Sequence, residues 1–300
     1  MSIVRDPLRR RVSLPSVDAP QGDAATLADA LSEHRRIFVL TGAGCSTDSG
    51  IPAYRGADGE WRRQQPVQFQ AFMGDARVRA RYWARSLLGW RSISLARPND
   101  AHLALATLER SGLIGLLVTQ NVDGLHQAAG SRQVTDLHGR LDRVVCMACR
   151  MIVPRTAWQH LLQTRNASWE SLDAPVAPDG DADLEGLDPE AFDVPACAGC
   201  GGVVKPDVVF FGESIPPWRH TQASAALATS DAMLIVGSSL MVHSGYRYAV
   251  AAARAGKPVY AVNLGRTRAD HLLTMKASAA AGVTLSIVAD NLSAGYLGLP

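Results

Sequence analysis

An α/β fold, with a parallel sheet covered by helices on both faces, is what this sequence predicts, together with a smaller cysteine-bearing module. Three observations carry that reading. Apolar runs of strand length recur along the chain with helical stretches between them, the pattern of buried parallel strands joined by crossover helices. Four of those runs end on glycine or small polar residues, which is where an open parallel sheet binds its ligands. Two Cys-x-x-Cys pairs stand apart from this alternation.

The elements follow in order. Residues 22–34 read as a helix, with Leu27, Ala30 and Leu31 on one face. Arg36–Leu40 is a buried strand that runs into the turn Thr41-Gly-Ala-Gly44. Residues 55–97 hold nine arginines and three acids, and Tyr82, Trp83, Leu87, Leu88 and Trp90 mark an amphipathic helix there. Further strands are expected at Leu113–Thr119, at Val203–Phe211, at Ala232–Val236 and at Val259–Val262, and helices at 101–111, 217–229 and 244–255.

Composition narrows the function. The 300 residues are 47% hydrophobic, and 30 basic against 28 acidic side chains leave a net charge of +2. Such a chain folds into one or two domains and is not disordered. Near-neutrality argues against non-specific nucleic-acid binding, so the arginine-rich helix reads as a solvated face near a phosphate-bearing ligand rather than a nucleic-acid surface. No apolar run approaches the ~20 residues of a membrane span. Residues 1–21 read as a flexible arm, Arg-rich and without the apolar core of a secretory signal.

Cys146, Cys149, Cys197 and Cys200 form the two pairs. Two intervening residues let both thiolates of a pair meet one tetrahedral ion, and four thiolates close a structural zinc site. Two disulfides or two redox pairs are the alternative, disfavoured without a secretion signal. The 47-residue gap between the pairs exceeds that of an ordinary ribbon. Residues 173–193 explain it with eight acids and no Lys or Arg, a solvated insert that costs little to close.

Four motifs carry chemistry. Thr41-Gly-Ala-Gly-Cys-Ser-Thr-Asp-Ser-Gly-Ile-Pro52 places glycines where a backbone approaches a pyrophosphate, but Thr47 stands where a third fingerprint glycine belongs. An ordinary hydride-transferring dehydrogenase therefore fits poorly. In Thr119-Gln-Asn-Val-Asp123, Asn121 and Asp123 either face one pocket and read a carboxamide or ribose hydroxyls, or form an Asx turn. His138, in Leu137-His-Gly139, is a general base or a capping histidine. The other histidines read as surface or locally bonded groups. Within Lys205–Glu213, Val208, Val209 and Phe210 offer an apolar channel and a strand edge.

Taken together, GAGCSTDSGIPAYRG (42–56), TQNVDGLH (119–126), LHG (137–139), CMAC, CAGC, KPDVVFFGE (205–213), GSSLMV (237–242) and VNLG (262–265) resemble the sirtuins, in that family's order and over residues 36 to about 282. The cysteine gap, VVFFGE and RYWARSLLGW (81–90) resemble the class II, mitochondrial lipoamidase-like branch and its bacterial relatives.

The resemblance implies a Rossmann-like domain (22–56, 98–142 and 203–300) and a small domain of helical module (57–97) and zinc ribbon (143–202). NAD and an acyl-lysine peptide would meet between them. His138 would be the general base, with Asn121 and Asp123 at the nicotinamide and its ribose. Gly42, Ala43, Gly44, Ser46 and Arg55 would hold the phosphates and the cofactor loop. Gln120, Gly237, Ser238, Ser239, Asn263, Leu264 and Gly265 would serve the ribose and adenine side, with Ala281 closing the adenine site. Cys146, Cys149, Cys197 and Cys200 would bind one structural Zn2+.

The implied reaction is NAD-dependent deacylation of protein lysine, in which the acyl oxygen attacks the ribose carbon and nicotinamide leaves. The products are free lysine and O-acyl-ADP-ribose. Protein mono-ADP-ribosylation in the same pocket is the alternative. The implied partners are acyl-lysine proteins or peptides, with no membrane or nucleic acid. The implied place is the cytoplasm, or the mitochondrial matrix for a eukaryotic source.

Four further positions stand out. Ala53 stands where the family usually has Asp, which removes a cap worth about 1 kcal/mol from the cofactor loop. Cys45 sits where an apolar residue is common and reads as a small buried hydrophobe. Tyr82 and Arg85 resemble the Tyr-x-x-Arg of a related branch, which would read an acidic acyl group, or are a core tyrosine and a surface arginine. The branch resemblance points instead to lipoyl, biotinyl or other long acyl groups.

Overall fold

The computed structural model describes residues 17–53, 66–169 and 191–296. Its main sheet has six parallel strands: β1 (Ile37–Thr41), β2 (Ile114–Thr119), β3 (Val134–Asp136), β7 (Ala232–Val236), β8 (Val259–Val262) and β9 (Met275–Ala277). Their order is β3-β2-β1-β7-β8-β9. β1 and β7 expose no residue to solvent, as their unbroken apolar sequences demand. From β1 the chain first builds outward through β2 and β3. It then returns to the other side of β1 for β7 to β9, so the strand order reverses between β1 and β7 and opens a crevice at their carboxyl ends.

Helices α1 (Ala24–Ser32), α4 (Asp100–Arg110) and α9 (Ala281–Tyr296) cover one face, burying Leu27, Leu31, Leu105 and Leu285 against Val39 and Leu117. The Asp23 carboxylate accepts from Thr26 N at 2.8 Å and starts α1. Helices α7 (Pro217–Thr229) and α8 (His243–Arg254) cover the other face through Ala223, Tyr248 and Ala249 on Phe38 and Ile235.

A second core gathers what the main sheet does not use. Helices α2 (Phe69–Gly74), α3 (Ala76–Leu95) and α6 (Arg155–Arg165) pack with strands β4 (Gly139–Cys146), β5 (Ile152–Pro154) and β6 (Val204–Val208) around Phe72, Tyr82, Trp83, Trp158 and Phe210. The expected amphipathic helix is α3, and its aromatic residues Tyr82 and Trp83 form this core.

Two differences from the expected elements have physical reasons. The run at Val203–Phe211 does not join the parallel sheet. Its first part is β6, which pairs antiparallel with β4 in a three-stranded sheet of order β5-β4-β6. Apolar content marks a buried strand but not its partner. Residues 19–22, expected in the arm or at the helix start, lie along β9 instead. Lys276 N donates to Pro20 O at 2.8 Å, Gly22 N donates to Lys276 O at 3.0 Å, and Ala19 is buried.

The acidic insert falls mostly outside the described residues, but its two ends are fixed. The Asn166 side chain accepts from Asp193 N at 2.7 Å and donates to Asp193 O at 2.9 Å. Trp169 meets Phe192 edge to face, with ring centroids 5.3 Å apart.

Candidate active site

A cavity of about 470 Å³ opens at the crevice and is walled by both cores. Gly42, Ala43 and Gly44 enter it from the end of β1, and Gly237, Ser238 and Ser239 from the end of β7. These two turns press on each other. Gly237 has φ +60, and a Cβ there would stand 2.2 Å from Cys45 N. A Cβ on Gly44 would stand 2.9 Å from Gly237 O. The glycines are therefore required by the packing of two strand ends as well as by any ligand. Asn263, Leu264 and Gly265 follow β8 into the cavity, and Ala281 reaches it from the start of α9.

Gln120 and Asn121 leave β2 on the same wall. Gln120 Oε1 accepts from Ser238 Oγ at 2.7 Å. Asn121 Nδ2 donates to Gly42 O at 3.1 Å and to Ser46 Oγ at 3.0 Å, which leaves Oδ1 as the atom for a ligand donor. Ser46 and Asp123 lie behind this wall. Ser46 Oγ donates to Asp123 Oδ2 at 2.8 Å, and Asp123 Oδ1 accepts from Leu125 N at 2.9 Å. The sequence left a pocket role and an Asx turn open for this pair. Asn121 lines the cavity, and Asp123 makes an Asx turn while gripping Ser46.

His138 lines the cavity beside Gln120, just before β4. Its Nδ1 lies 3.0 Å from Gln120 O, and a carbonyl only accepts, so Nδ1 carries the proton. Nε2 is left with its lone pair, 2.9 Å from Ser244 Oγ on the first turn of α8. Burial pulls this imidazole down to about 4, with the Arg219 charge adding to the effect and the Gln120 carbonyl opposing it. His138 is thus a neutral base at neutral pH.

The segment after β6 closes the apolar end. Val208, Val209 and Phe210 line the cavity with Tyr82, Leu141 and Ile215. Val209 N donates to His138 O at 2.7 Å, tying the segment to the histidine. Lys205 is buried, pairs with Glu213 Oε2 at 3.1 Å and donates to Val208 O. Glu213 Oε2 also accepts from Phe210 N at 2.9 Å, so one ion pair holds the loop's shape. Tyr82 reaches the cavity and Arg85 does not. Arg55 lies outside the described residues.

The four cysteine sulfurs come together at the tip of the small sheet. Cys146 Sγ lies 3.5 Å from Cys200 Sγ, and Cys149 Sγ lies 3.7 Å from Cys197 Sγ. Sulfurs placed tetrahedrally at ~2.3 Å from zinc stand about 3.8 Å apart, so the residues fit one zinc ion. No disulfide joins the five cysteines, and the four clustered sulfurs favour one shared ion over the disulfide alternative.

Sequence reasoning missed three residues here. Ser244 faces His138 Nε2, and neither its type nor its context marked it. His102 makes the local bond expected of it, with Asn99 Oδ1 at 2.9 Å, but it and His126 are both buried, with ring centroids 4.8 Å apart. They come from different elements, so only the fold brings them together.

The comparisons with known proteins agree with this geometry. Residues 42–244 match the Sir2 family, and the chain belongs to it. It is 60% identical over 262 residues to an NAD-dependent protein deacetylase of Bordetella bronchiseptica, covering 87% of this chain and 96% of that protein. Among solved structures it resembles a Sir2 homologue in complex with NAD (TM-score 0.72, 27% identity, 93% of this chain and 97% of that one). It also resembles a Sir2 protein with a deacetylated p53 peptide and 3'-O-acetyl-ADP-ribose (TM-score 0.71, 29% identity, 90% of this chain and 98% of that one).

Proposed function

We propose that this chain is an NAD-dependent protein-lysine deacylase. One observation carries the reading: His138, with an unprotonated Nε2, lines the same cavity as Asn121 and the paired glycine turns. NAD, a substrate here, supplies a glycosidic bond that is cleaved as nicotinamide leaves. Asn121 Oδ1 would accept from the nicotinamide amide. Gln120, Ser238 and the turns after β1 and β7 would hold the rest of the dinucleotide. His138 Nε2 would take a ribose hydroxyl proton, displacing Ser244 Oγ. Holding both reactants in one cleft makes the weak acyl oxygen an effective nucleophile. Acyl transfer is favoured over the mono-ADP-ribosyl alternative by the Sir2 relatives.

The acyl group we propose is uncharged, because among the described residues the channel is lined by Val208, Val209, Phe210, Leu141 and Ile215, Glu213 there is already paired with Lys205, and Arg85 is off its wall. The two-domain division follows the segments read from sequence, except that β6 goes with the small domain. No helix among the described residues is long and apolar enough to cross a membrane. A cytoplasmic location is supported by four thiols kept free for metal.

The test is nicotinamide release from NAD with a panel of acyl-lysine peptides. Wild type should release nicotinamide and free lysine together. His138→Ala should lose ~10²–10⁴-fold in rate while binding NAD in calorimetry. Parent-like turnover by that variant, or no turnover by wild type with any peptide, overturns the reading.

A further inference from the structure

Cys45, His102 and His126 are all buried, and one ligand atom from each lies within 4.8 Å of the others. Both imidazoles are prepared as ligands by the bonds on their far nitrogens. The Asn99 amide is oriented by its Nδ2, which donates to Cys45 O at 2.9 Å and Ser49 Oγ at 3.0 Å. Its Oδ1 is therefore the oxygen that faces His102 Nδ1 at 2.9 Å; the Asn99 backbone N–H also reaches Nδ1, at 3.3 Å, and the shorter contact places the proton on Nδ1. His102 Nε2 keeps its lone pair. Its neighbour Ser46 Oγ, at 3.4 Å, already donates to Asp123. His126 Nε2 lies 2.8 Å from Thr41 Oγ1, whose own hydroxyl donates to Thr119. That leaves Nε2 as the donor and His126 Nδ1 with a lone pair, and Nδ1 is buried without a hydrogen-bond partner among the described residues. An outer hydrogen bond that fixes the tautomer and frees the inner nitrogen is the arrangement found behind metal-ligating histidines.

We propose that Cys45, His102 and His126 form a binding site for one monovalent copper ion, separate from the four-cysteine zinc cluster. A thiolate and two imidazoles suit the soft cuprous ion. Three ligands in a dry pocket suit its low coordination number. Charge also selects it, because one thiolate and Cu+ sum to zero and a neutral group is the one a buried site tolerates. Binding exchanges the Cys45 thiol proton for the ion, and the proton passes to the buffer with no change of oxidation state. Ligand atoms around such an ion stand about 3.5–4 Å apart, so side-chain movements on the order of 1 Å complete the site. Drawing Cys45 and His102 together shifts Ser46, which anchors Asn121 and Asp123, so a bound ion lowers turnover. This last consequence rests on the proposed deacylase reading, whereas occupancy of the site does not.

The test titrates the zinc-loaded protein anaerobically with Cu+ buffered by bicinchoninate, with both metals counted by mass spectrometry. Wild type should take up one copper with its zinc unchanged, and X-ray absorption should show one sulfur and two nitrogen ligands. C45S and C45V, each folded by circular dichroism, should bind copper at least tenfold more weakly. Nicotinamide release should fall with copper occupancy in wild type and not in C45V. The site is overturned by no copper uptake in wild type, by equal uptake in both variants, by zinc released mole for mole with copper bound, or by a second zinc bound in preference. A wild type that binds copper at Cys45 yet deacylates no peptide with or without it upholds the site and overturns the deacylase reading instead.

Discussion

His138 uses one nitrogen for position and the other for chemistry. Its folded value near 4 lies below the ~6.5 of an exposed histidine. The group is therefore neutral in both states only well above pH 6.5. As pH falls from 6.5 toward 4, the unfolded chain binds the proton first, and this histidine's contribution to stability is lost over that window. The same shift keeps the base competent in weak acid. The acid limb of kcat/KM against pH should lie well below 6.5, and a limb centred at 6.5 would show that the site admits more water than its walls imply. His138 and Asn121 were legible in sequence because glycine and polar residues after apolar strands have few other uses. Arg85 was not: residues three apart on a helix are offset by about 60°, enough to put Tyr82 on the cavity and its neighbour off it.

Among the elements, the β6 segment shapes the site most. It is held by a pair of unequal members, since Lys205 is buried and Glu213 is part-exposed. Burial lowers the Lys205 pKa, and the Glu213 charge opposes that. Glu213→Gln leaves an ammonium without its anion in the core and should cost about 3 kcal/mol. Lys205→Met leaves a carboxylate that can turn to water and should cost less. Urea midpoints of the two variants check the order, and both should raise KM for the acyl peptide because Val208 to Phe210 lose their anchor. Strands β1, β2, β7 and β8 were legible from unbroken apolar runs. β3 and β9 were not, since three residues are too few to show a period. Nor was the pairing of β6, which is decided by β4 and by Gly139 at φ +86, where a Cβ would stand 2.0 Å from Asp207 O.

At the scale of the whole molecule, the zinc cluster is coupled to the chemistry through strands rather than contact. Cys146 ends β4, which begins at Gly139 beside His138, and β6 leads from Cys200 to the channel. Metal removal should therefore abolish activity by loosening both strands. Cys146→Ala, or a strong chelator, should lower the unfolding temperature and the rate together, with zinc restoring the chelated protein. A metal-free variant that unfolds cooperatively at the parent temperature would contradict this.

The clamp between Asn166 and Asp193 has a practical consequence. Because it brings the two ends of an excursion side by side, what lies between them is topologically a handle, and ring closure costs only ~0.6 kcal/mol per doubling of its length. Trimming residues 170–190 to a short glycine-serine bridge should leave melting temperature and catalysis within error of the parent. The same position should accept a spliced-in peptide or small carrier domain, giving a natural port for labels.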